Sequence, residues 1–91
     1  MAEGNLFLVR HAPNPFRNDM SIEFTLPAAG HVVVEIFGAD GRRVTTLADD
    51  DMAAGPHAVR WNAGKDAPSG MYFYKVRAGA NTSTGKMVHV D

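Results

Sequence analysis

The chain has 91 residues, 45% of them apolar and 21% charged, and nine Lys and Arg against ten Asp and Glu leave a net charge of −1. This is the composition of one small globular domain, which excludes a disordered, collagenous or coiled-coil chain and gives no field to steer nucleic acid or an anionic membrane. Cysteine is absent, so disulfides, thiol nucleophiles and thiolate metal sites are excluded together.

No apolar run approaches the roughly 20 residues of a membrane helix, and no membrane-spanning segment is expected. Met1-Ala2-Glu3-Gly4 has neither the basic n-region nor the apolar h-region of a leader. A chain this short buries one modest core, without room for a deep substrate cavity beside it. No enzyme and no cofactor are expected.

Apolar residues recur with period 2 between turn residues, and no window carries the i, i+3, i+4, i+7 stripe of a helix. Asn5 to His11 is the first expected strand, ended by Ala12-Pro13-Asn14-Pro15, where two prolines remove ladder donors. Met20 to Leu26 follows, with Ile22, Phe24 and Leu26 on one face. Pro27 to Gly30 turns the chain into His31 to Phe37, whose Val32, Val34 and Ile36 point inward. Asp40-Gly41 is expected to supply the positive φ values of a tight hairpin leading into Arg42 to Leu47, which pairs with the preceding strand.

Asp49-Asp50-Asp51 and Ala53 to Pro56 read as a polar connection before His57 to Asn62, where Trp61 is the largest core candidate. A loop rich in Gly, Pro and Ser leads to Gly70 to Ala78, and Thr82 to Val90 completes seven strands. Short strands at about 8 to 12 residue spacing predict an all-β, seven-stranded antiparallel β-sandwich of immunoglobulin-like architecture. One domain covers residues 1 to 91.

Phe7-Leu8, Pro13-Asn14-Pro15-Phe16, Ile22 to Pro27, Gly30-His31-Val32, Gly41 to Val44, Leu47, Ala54 to His57, Val59-Arg60-Trp61, Ser69 to Tyr74, Ala78-Gly79 and Lys86-Met87-Val88 follow one another in an order that resembles a known family. That family is the C-terminal sorting domain of type IX secretion, related to the immunoglobulin-like domain of the flagellar hook-capping protein. Each piece is short, and the specificity lies in their ordered combination over residues 5 to 90.

The resemblance implies a non-catalytic address label at the end of a fused, exported cargo. The outer-membrane type IX machinery reads it, a sortase-like enzyme acts on it, and the cargo reaches the cell surface. The sorting-motif candidates it marks are Pro13, Asn14, Pro15, Phe16, Gly70, Tyr72, Lys86, Met87 and Val88. A spacer, adhesive or carbohydrate-contacting module of the same fold is the alternative.

Most of these residues also have plain structural roles. Phe16 is expected to plug an open end of the sandwich, and Trp61 and Tyr72 to pack in the core with their polar tips satisfied. Gly41, Gly55, Gly70 and Gly79 fall at strand junctions, where positive φ favours glycine. His11, His31, His57 and His89 sit on separate elements without metal-ligand spacing, so no metal is expected. Asp49-Asp50-Asp51 lacks the layout of a calcium loop and reads as a solvated loop.

With Val32, Val34 and Ile36 inward, Val33, Glu35 and Phe37 face outward, and Met71, Phe73 and Lys75 do the same on the sixth strand. In an immunoglobulin-like order these two strands are neighbours. Val33, Phe37, Met71 and Phe73 are therefore the interface candidates, for cargo or for weak self-association.

Overall fold

Among the described residues the alternating runs form seven strands and no helix. The computed structural model describes residues 9–12, 16–63 and 67–90, with the backbone alone at 11 and 12. The strands are β1 (Val9–Ala12), β2 (Asp19–Leu26), β3 (Gly30–Gly38), β4 (Arg43–Met52), β5 (Gly55–Asn62), β6 (Gly70–Ala78) and β7 (Asn81–His89). They make a three-stranded sheet in the order β1-β2-β5 and a four-stranded sheet in the order β4-β3-β6-β7. Every pair is antiparallel, the arrangement of an immunoglobulin-like sandwich.

The period-2 pattern sets the two layers. Met20, Ile22, Phe24, Leu26 and Trp61 bury from one sheet, and Val32, Val34, Ile36, Tyr72, Tyr74, Val76 and Met87 from the other. Each fully buried aliphatic side chain contributes about 1.5 to 3 kcal/mol of transfer free energy, and the inner face of β3, Val32, Val34 and Ile36, is closed to solvent. Trp61 packs edge-on against Tyr72, ring centroids 5.1 Å apart, and tilted against Phe16 at 5.6 Å. The sheets are joined through these rings at one end of the sandwich.

Three expectations are corrected. Asp49-Asp50-Asp51 is not a loop but the second half of β4, paired with His31, Val32 and Val33 of β3. Aspartate disfavours strands, yet β4 is an edge strand, so these carboxylates keep their water, and His31 bonds two of them across the ladder. Gly55 and Pro56 likewise belong to β5. Proline is tolerated there because β5 is an edge strand with β2 on one side only.

The β3–β4 hairpin also differs from expectation. Gly41 has φ +86°, whereas no residue other than glycine has positive φ among the described residues, so Asp40 does not. The Gly41 amide donates to the Gly38 carbonyl at 3.0 Å and the Gly38 amide to the Arg42 carbonyl at 2.9 Å. That is a three-residue loop, a turn closed by one left-handed glycine. The Asp40 carboxylate instead accepts from the Arg42 amide at 3.0 Å. Asn5 to Leu8 of the first expected strand lie outside the described residues.

Candidate functional site

Three segments far apart in sequence meet at one end of the sandwich. Phe16, between β1 and β2, forms an isolated parallel bridge with His89 of β7. Its amide donates to the Val88 carbonyl at 2.9 Å and its carbonyl accepts from the Val90 amide at 2.8 Å. The phenyl ring is 1% exposed, as a plug must be, and stacks on the His89 imidazole at 4.9 Å.

Tyr72, near the start of β6, donates its hydroxyl to the Pro68 carbonyl at 2.5 Å. A tyrosine at this strand bonding the backbone just upstream is the tyrosine corner of immunoglobulin-like sandwiches. Burial raises the Tyr72 and Tyr74 phenol pKa values above the usual 10. His89 completes the junction. Its Nε2–H donates to the Arg17 carbonyl at 2.7 Å, and Nδ1 lies 3.2 Å from the Pro68 carbonyl.

Of the sorting-motif candidates, Phe16, Gly70, Tyr72, Met87 and Val88 come together here, since Gly70 pairs with His89, Met71 with Val88 and Tyr72 with Met87. Lys86 lies one position on, opposite Phe73. Met87 and Tyr72 face the core, whereas Lys86 and Val88 face water. Pro13, Asn14 and Pro15 lie outside the described residues. His89 was missed as a site residue because no short spacing links it to Arg17 or Pro68; only the fold brings those carbonyls to its ring.

A second surface is the outer face of the four-stranded sheet. Phe37 pairs directly with Phe73 and Glu35 with Lys75, the neighbours expected of the third and sixth strands, and Val33 pairs with Arg77. Phe37 and Phe73 are half-buried, Met71 is 42% exposed and Val88 beside it 38%. Val33 is separated from Phe37 by the Glu35–Lys75 row and sits opposite Asp49 on its other side. The apolar strip is thus Val88, Met71, Phe73 and Phe37, without Val33, and Arg43 and Lys86 flank its aromatic pair.

At the far corner of that face His31 bridges two carboxylates, with Nε2 2.6 Å from Asp49 Oδ1 and Nδ1 2.8 Å from Asp51 Oδ1. Hydrogen bonds to Asp51 first and Asp49 second raise the imidazole pKa above 6.5. Reading the three aspartates as a loop hid this pair, since only the extension of β4 sets Asp49 and Asp51 on one face. No group of three His, Asp or Glu among the described residues is placed to hold a metal ion. On the other sheet, Phe24 stacks on His57 at 5.7 Å beside the Arg10–Glu23 ion pair at 3.1 Å, in an open cleft that adjoins Val9.

Sheet order, the Trp61–Tyr72 core contact and the tyrosine corner define an immunoglobulin-like β-sandwich. The model of the FlgD Ig-like domain family matches residues 16–83, and the chain belongs to that family. No curated protein matches it.

Proposed function

We propose that this chain is a non-catalytic C-terminal sorting domain that directs an exported cargo through type IX secretion to the cell surface. The observation that carries the reading is the convergence of Phe16, Tyr72 and the end of β7 in one junction. Three separate parts of the pattern quoted above thereby serve one feature, a fixed presentation of the last strand. Phe16, Tyr72 and Met87 point inward and hold β7 in place. Lys86 and Val88, which alternate with Met87 and face water, are the side chains a receptor reads.

Such a label needs no reacting group. Its requirement is that exposed residues be held by a rigid support, so that recognition does not carry the entropy cost of ordering a tail. The partners in this reading are the outer-membrane machinery, a sortase-like enzyme and the fused cargo, and the destination is the cell exterior.

The test is a fusion of the chain to the C-terminus of a periplasmically exported reporter in a type IX-competent bacterium. Surface delivery is expected, and Lys86→Glu with Val88→Asp should trap a folded fusion in the periplasm. Periplasmic retention of the unmodified, folded fusion would overturn the reading in favour of a spacer or adhesive module.

A further inference from the structure

The outer face of the four-stranded sheet is polarised across the strand order. Its β4 and β3 half carries Asp51, Asp49 and Glu35, with Arg43 and His31, and its β6 and β7 half carries Arg77, Lys75 and Lys86. The acidic half is internally engaged, His31 by both aspartates and Glu35 by Arg43 at 3.5 Å. The three cations of the basic half make no ion pair among the described residues. In the row next to Glu35 and Lys75, Phe37 and Phe73 lie side by side on the two central strands.

From this placement we infer that the face binds a second copy of the chain, the two sheets meeting face to face about a two-fold axis that runs parallel to the strands between β3 and β6. That operation lays the β3 and β4 half of one copy over the β6 and β7 half of the other at the same height along the strands. Phe37 then covers the other copy's Phe73, and Glu35 meets its Lys75. Asp49 lies near the other copy's Arg77, and every such contact occurs twice because the interface is isologous. The polarity of the face is what favours a second copy over a partner of single charge sign.

The size of the face sets the strength. Four strands about 4.8 Å apart, with outward residues recurring about every 6.8 Å along four intervals, cover about 500 Å² per copy. Stable interfaces bury about 800 Å² per partner, so this dimer is weak and concentration-dependent. Arg43 comes opposite the other copy's Lys86, which weakens it further. Charge complementarity contributes register and salt sensitivity more than affinity.

Sedimentation equilibrium tests the inference. The weight-average mass should rise above the 9.8 kDa of one chain as concentration goes from about 10 μM to about 1 mM, the range where a weak dimer forms. It should fall back at high salt. Lys75→Glu and Glu35→Lys should each weaken association about tenfold or more, and the double variant should restore it, because the swapped charges again meet across the axis. Phe73→Glu should abolish it, with far-UV circular dichroism confirming the fold. A single-chain mass at every concentration, or a double variant no better than the singles, would overturn the proposal.

Discussion

His89 lies flat on Phe16, ring centroids 4.9 Å apart and planes 18° from parallel, while the same two residues bridge in parallel at the edge of the four-stranded sheet. One short contact therefore ties the segment before β2 to the last strand, and with Trp61 against Phe16 it closes an end of the core. Phe16→Ala removes a fully buried ring and leaves a space the rigid sheets cannot fill. The expected loss is about 3 to 5 kcal/mol, read by urea unfolding. A loss under about 1 kcal/mol would mean that the ring is not buried in solution.

The tyrosine corner has a narrower test. Tyr72→Phe keeps the ring against Trp61 and removes only the hydroxyl that reaches Pro68. Losing one such bond, with its carbonyl partner left half-satisfied, costs about 1 to 2 kcal/mol. A loss under about 0.5 kcal/mol in urea unfolding would show that the hydroxyl does not bond the Pro68 carbonyl in solution.

Gly85 faces Tyr74 across the β6–β7 ladder, and a Cβ built there would stand 2.5 Å from the tyrosine ring. The glycine is needed for space, because the phenol ring occupies the volume a side chain would take. Gly85→Ala should destabilise by about 1 to 3 kcal/mol through overpacking. Gly30→Ala, where a Cβ meets nothing within 4 Å, should fall within about 0.5 kcal/mol of the parent. Equal effects at both positions would contradict this account.

The His31 corner makes stability depend on pH. Its folded pKa is raised above 6.5 by hydrogen bonds to Asp51 and Asp49, so the folded state holds the proton more tightly than the unfolded one. The contribution is fully present below about 6.5 and is lost as pH rises through the higher folded value. It is small, because the groups are exposed and screened. The site-specific measurement is the His31 ring resonance in an NMR titration, whose midpoint should fall in Asp51→Asn and fall further when Asp49→Asn is added. An unchanged midpoint would remove the carboxylates as its cause.

Much of this molecule is legible from local chemistry. Alternation alone identifies Ile22, Phe24 and Leu26, or Val32, Val34 and Ile36, as inward, because a pleated strand presents successive side chains to opposite faces. It also yields the seven strands, the burial of Trp61, and, once an immunoglobulin-like order is assumed, the pairing of Glu35 with Lys75, whereas the burial of Phe16 is read from its place after the two prolines. Strand ends were less legible where residue preference and position conflict. Asp49-Asp50-Asp51 resembles a loop by composition, and only its place at a sheet edge beside His31 makes it a strand.

What tertiary structure alone decided are the relationships between residues whose separation in sequence carries no pattern. His89 finds the Arg17 and Pro68 carbonyls, and Gly85 gives room to Tyr74. The physical reason is the difference in range between the two kinds of information. Side-chain alternation and turn chemistry act over a few residues and are written in the chain. Register between strands fixes which side chains become neighbours, and it is set by the packing of the whole core at once.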